Sequence, residues 1–199
     1  ATHISMEAEA RALGRNRWFT VNDETRSKAL RQMEPEIRRI ARQGHSAERF
    51  AALTAQLLEG AAGLLFNAPI DMAIESRLAR ELPVLREAQL LSLDTLAREA
   101  AALSTHREIR QITPERILGV NDTLNAAAAL FLRDLSGGAL DYAEAYRPFD
   151  CHARAERLYA AYRDAEAEGI APGQEYDLVD EFATQLGVRA WYAWQADSG

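Results

Sequence analysis

A chain of 199 residues, 48% of them hydrophobic, is long enough to bury one sizeable core and marginal for two, so one domain spanning 1–199 is expected. Its net charge of −7 argues against a phosphate-binding surface and hence against a nucleic-acid partner. The single cysteine, Cys151, excludes an internal disulfide framework and a Cys-rich zinc module, and it fits a reducing compartment. No apolar run near the roughly 18 residues of a membrane span is read, nor a signal peptide, so the expectation is a cytoplasmic chain without a membrane partner.

The chain opens at Ala1 without a methionine and directly in helix-forming sequence, which suggests a piece of a longer protein. Ala1 to Leu13 reads as a helix ending at Gly14. Residues 15–21, with Trp18 and Phe19, have no helical period and read as a short extended arm whose aromatics pack on the core. Asn22 or Asp23 caps a helix with Leu30, Met33, Ile37 and Ile40 on one side, which Pro35 should kink or split and Gly44 should end. Arg38, Arg39 and Arg42 lie beside Glu34 and Glu36 and read as a solvated face.

Ser46 caps the next helix, where Phe50, Leu53, Leu57, Ala61, Leu64 and Leu65 repeat at three and four residues and mark a buried element. A new helix is expected at Asn67, a good N-cap, with Pro69 in its first turn, where a missing N–H costs nothing. On it Asp71, Glu75, Leu78 and Leu82 fall on one bearing, within the apolar arc shared by Ile70 and Ile74. Two acids are thus expected to face inward, where a carboxylate is costly unless paired, hydrogen-bonded or bound to metal.

Pro83 closes that helix and opens another containing Leu85, Leu90, Leu93, Leu96 and Leu103. Thr113-Pro114-Glu115 starts a further one, through Leu124 and Leu132 to the stop at Gly137-Gly138. Ala153 to Gly169 is helical, with Asp150 as an ordinary N-cap and Leu158, Tyr159 and Tyr162 turned inward. Tyr176 to Leu186 forms the last helix, stopped by Gly187, and the aromatic end from Val188 to Trp194 docks back onto the bundle. No segment alternates long enough to suggest a sheet beyond a short pairing near Arg17 to Val21, so the class is all-α, a multi-helix bundle.

Few constellations carry chemistry. His45, His106 and His152 sit beside helix ends in polar sequence and read as surface or cap residues. No Glu-x-x-His pair supports a di-iron bundle, and no glycine-rich phosphate loop is present. Cys151 and His152 are neighbours in sequence, which rarely lets both side chains converge for thiol chemistry. His3 differs. A His-Glu-x-x-His helix puts two histidines on one face for zinc with a glutamate as base, and Ala1-Thr2-His3 would supply the end of such a motif.

The run Thr2-His3-Ile4-Ser5-Met6-Glu7-Ala8-Glu9-Ala10-Arg11, with Gly14-Arg15-Asn16-Arg17-Trp18-Phe19, resembles sequence directly after the zinc helix in bacterial HExxH metallopeptidase-like (gluzincin-like) proteins. Phe66-Asn67-Ala68-Pro69-Ile70-Asp71 with Ile74-Glu75, Ile112-Thr113-Pro114, and Glu175-Tyr176-Asp177-Leu178-Val179-Asp180 are similar too, so the likeness spans most of the chain. The resemblance implies a zinc site with His3 as second histidine and a downstream acid as third protein ligand: Glu75 as ligand with Asp71 orienting a ligand histidine, or the reverse. Glu7, a turn beyond His3, is placed to hydrogen-bond the ligands. The implied function is the helical part of a zinc-dependent metallopeptidase-like protein acting on a peptide or protein. This chain alone, without the leading His-Glu, holds no complete catalytic set and is expected to be inactive. The alternative is a non-enzymatic helical scaffold or protein-interaction module, with Asp71 and Glu75 paired to arginines such as Arg11, Arg15 or Arg17.

Overall fold

Glycine and cap chemistry set the first elements. The computed structural model describes residues 8–42 and 47–196. Helix α1 (8–12) ends where Gly14 takes φ +64°, with Arg15 N–H donating to Ala10 O at 2.9 Å and Gly14 N–H to Arg11 O at 3.0 Å. That double closure is the Schellman arrangement, which glycine favours because it has no Cβ to clash. Strand β1 (Arg17–Thr20) follows, then α2 (Asp23–Gln32), entered through a reciprocal cap: Asn22 Oδ1 accepts from Thr25 N–H, and Thr25 Oγ1 accepts from Asn22 N–H, each at 3.0 Å. Pro35 splits the helical run as expected, sitting in the first turn of α3 (Glu34–Ala41). The expected stop at Gly44 and cap at Ser46 lie outside the described residues.

The next element departs from expectation. A single 35-residue helix, α4 (Ala47–Glu81), runs through Asn67 and Pro69 without a break. Pro69 forfeits one backbone hydrogen bond, but Leu65, Ala68, Ile70, Met72, Ala73 and Ile74 are all buried along the uninterrupted helix. Continuous burial outweighs the local cap signal. The continuity also corrects the membrane-span reading: Phe50–Glu81 is long and apolar enough to cross a membrane by length and composition, although 56% of its most apolar 18-residue stretch is buried inside the protein, as in a core helix.

After a 3₁₀ turn (Pro83–Leu85) come α5 (Arg86–Thr105), the short α6 (Arg107–Ile112), and α7 (Glu115–Leu135), entered through Pro114. A second 3₁₀ turn (Ala143–Tyr146) leads to α8 (His152–Glu168). Its N-cap is Cys151 without a side-chain bond, not Asp150, whose carbonyl instead accepts from Arg154. Helix α9 (Glu175–Leu186) closes at Gly187, and a 3₁₀ turn (Arg189–Trp191) precedes β2 (Ala193–Ala196). The fold is all-α, 78% helical, with one two-stranded antiparallel ribbon in which Arg17 faces Ala196 and Thr20 faces Ala193.

Helix α4 is the axis. It packs against α7 and α9, while α8 lies against α7. The ribbon lies on α4 through Phe19, whose ring is 5.0 Å from Phe66 and 4.5 Å from Tyr192. Asp180 on α9 pins the ribbon's end, accepting from Tyr192 Oη at 2.5 Å and Trp194 Nε1 at 2.9 Å and pairing with Arg189 at 3.0 Å. On the inner side of α8, Leu158 and Tyr162 are fully buried, and the Tyr162 hydroxyl donates to Met72 O at 3.0 Å and meets Ser76 Oγ at 2.7 Å.

Candidate functional site

The acid face of α4 looks into a groove rather than into the core. Leu64, Asn67, Ala68, Asp71 and Glu75 form one wall, Leu93, Leu96, Ala97 and Ala100 of α5 the other. Leu124, Asn125, Ala128, Phe131 and Leu132 of α7 line it further, with Tyr146, and its volume is about 330 Å³. Helix α5 stands off from α4 along this length and buries little of itself: only Gln89 and Ser104 are fully shielded. Leu96 and Leu103 on α5, with Leu82, Val84 and Leu85 just before it, stay exposed.

The two acids therefore differ from the inward pair expected of them. Asp71 is exposed, and Glu75 is half-buried. Glu75 is held by an amide, not an arginine: Gln89 Nε2 donates to Glu75 Oε2 at 2.6 Å and to Glu75 O at 2.8 Å. This clasp fastens the start of α5 to α4 beside the groove that Glu75 lines. Arg17, one expected partner, is engaged by Asp177 at 3.1 Å and Asp180 at 3.7 Å. Sequence reading missed Gln89; its one signal is an amide set among the leucines of α5.

His3 and Glu7 lie outside the described residues. Helix α1 meets α4 at Arg77, whose guanidinium reaches both oxygens of Glu9 at 3.4 Å. Arg77 lies about 200° around the helix from Glu75, so α1 docks on the face opposite the groove. Among the described residues no group of three His, Cys, Asp or Glu side chains could hold a metal ion. Asp71 and Glu75 offer carboxylate oxygens, but these alone fall short of the donor set zinc requires.

The other candidates are quiet. Burial pushes the Cys151 thiol up to about 11, with the Asp122 carboxylate adding to the effect, so the thiolate needed for nucleophilic work is scarce near neutrality. His152 faces Glu156, 3.4 Å away on its own helix. Burial likewise raises the Tyr146 phenol beside the groove, to about 12, leaving it a neutral hydroxyl. The class these features define is an all-α bundle with an apolar groove carrying acids and amides on one side. In comparison with known proteins, no family model, curated protein or solved structure matches the chain.

Proposed function

We propose that the chain is a helical interaction module whose groove between α4, α5 and α7 receives an apolar partner segment bearing a lysine or arginine. The observation that supports this reading is the pairing of apolar walls with Asp71 and Glu75 on one side. Leucine and alanine walls gain from covering, while the carboxylates favour a cation and disfavour an acid. Exposed Leu103 extends the apolar surface along α5 beyond the groove, which suits a peptide or helix better than a small molecule. An amphipathic helical peptide of leucine and lysine should bind in a calorimetric titration, and its leucine-glutamate counterpart should bind at least about tenfold more weakly. Ala128→Trp, at an exposed groove position, should abolish binding without unfolding the chain. Equal binding of both peptides, or binding unaffected by Ala128→Trp, would overturn the proposal.

A second reading follows the resemblance: the helical part of a zinc metallopeptidase-like protein, with His3 and Glu75 as ligands and Asp71 and Glu7 supporting them. It draws on one observation, that Asp71 and Glu75, a turn apart, open to the same groove. On this reading the chain shows no peptidase activity, and Glu75→Gln lowers zinc affinity at least about tenfold in a competition assay with a fluorescent chelator. Unchanged zinc affinity in Glu75→Gln would rule Glu75 out as a ligand.

A further inference from the structure

The outer side of α5 is apolar, whereas a helix that faces only water presents polar residues there. Six of the eight large apolar side chains left exposed among the described residues lie on α5 or the turn before it: Leu82, Val84, Leu85, Leu91, Leu96 and Leu103. Val84 is 86% exposed and Leu91 68%. Leu91 and Leu96 border an arc of about 140° on which the exposed Ala88, Thr95 and Ala102 keep the surface low enough for another helix to approach. An apolar patch of this extent marks an interaction surface.

The charges around the patch indicate what covers it. Glu75, level with the start of α5, is bonded by the neutral Gln89 amide and meets no cation among the described residues. Glu87, in the first turn of α5, is exposed and makes no ion pair with any described residue. Arg107, just past the other end, is exposed and meets no described acid. Acids at one end and an arginine at the other are the pattern that an antiparallel copy of the same helix answers at both ends. About a two-fold axis near Ala97, positions 87 and 107 lie level, about 15 Å of helix to either side, and so do Leu91 and Leu103.

We propose, resting on the groove reading above, that the groove's partner is a second copy of this chain, the outer face of each α5 lying antiparallel across the groove of the other. The area is sufficient. A helix of 20 residues is about 30 Å long and 10 Å wide, so each α5 covers about 300 Å². Two such faces and the two surfaces that receive them bury about 1,200 Å², where stable interfaces begin. The arrangement is reciprocal, so it closes at two copies and leaves no apolar ridge for a third.

Analytical ultracentrifugation of the full chain tests it. A dimer is expected, with a dissociation constant on the order of micromolar that rises as salt is added. Leu91→Asp, exposed and outside the groove, should weaken the dimer at least about tenfold, and so should Ala128→Trp within the groove. Arg107→Glu should weaken it as well, and adding Glu87→Arg to the same chain should recover most of the loss. A chain still monomeric at about 100 μM, a dimer indifferent to Leu91→Asp or to Ala128→Trp, or a charge swap that recovers nothing would overturn the proposal. Leu91→Asp leaves the groove intact, so the leucine-lysine peptide should bind that variant at least as tightly as the parent. Peptide binding by a parent chain that stays monomeric would sink the dimer and keep the groove, whereas no peptide binding to Leu91→Asp would remove both.

Discussion

Replacing Trp191 with alanine is expected to lower the unfolding free energy by about 4 kcal/mol. Trp191 ends the last 3₁₀ turn and is fully buried, the largest side chain so enclosed among the described residues. Its indole N–H donates to Gln32 Oε1 at 3.1 Å, so one side chain joins the chain's end to α2. Alanine would remove the ring's transfer free energy and leave a cavity that packed neighbours close only in part. The lost hydrogen bond adds little, because Gln32 is exposed and can turn to water. In urea unfolding the midpoint should fall with the slope unchanged, and Trp191→Phe should recover more than half of the loss. Trp18→Ala, at a half-exposed ring, should cost far less. A change below about 1 kcal/mol for Trp191→Ala would show that the C-terminal turn does not anchor the fold.

Local punctuation was legible where the signal and its effect lie within a few residues. Gly14 and Gly187 adopt positive φ at helix ends, Asn22 caps, and Pro35 separates two helices, because each acts on its own backbone. The same chemistry misled at Asn67 and Pro69. There a cap and a first-turn proline sit inside a stretch whose neighbours are buried in sequence-distant helices, and tertiary burial decides the outcome. The acids show a related limit. Periodicity places Asp71 and Glu75 on one bearing of α4, and both do line one groove, yet it cannot tell that α5 stands back and leaves that bearing open. Gln89 and Asp180 act on partners brought near only by the fold or by a turn, so no short pattern marks them. Asp122 is another such case: it lies two residues, about 200° of helix, from both Val120 and Leu124, so periodicity does not mark it as buried.

That acid underlies the second large effect: Asp122→Ala is expected to cost about 3 kcal/mol and to loosen α5 from the groove it borders. The Asp122 side chain is 4% exposed and accepts from Arg110 Nη1 at 2.8 Å. The same nitrogen donates to Ser104 O, near the end of α5, at 2.9 Å, and the guanidinium stacks 3.9 Å above Phe149. Arg110 thus ties α5, α7 and the segment after the second 3₁₀ turn at one corner. Removing the carboxylate leaves a guanidinium, 26% exposed, short of its buried partner, which is the costly way to break such a pair. Water can reach part of that guanidinium, which holds the cost to the lower end of the range. Asp122→Asn keeps an acceptor and should cost about half as much. Amide hydrogen exchange should then show lost protection in the last turns of α5 with α4 unaffected, since Arg110 bonds the end of α5 at Ser104 O, whereas its start is held separately by the Gln89 clasp and by Arg86 on Leu135 O. If the leucine-lysine peptide binds in the groove, its affinity should fall with α5 protection. Protection lost equally throughout the chain would instead mark Asp122 as a general core residue with no special hold on the groove.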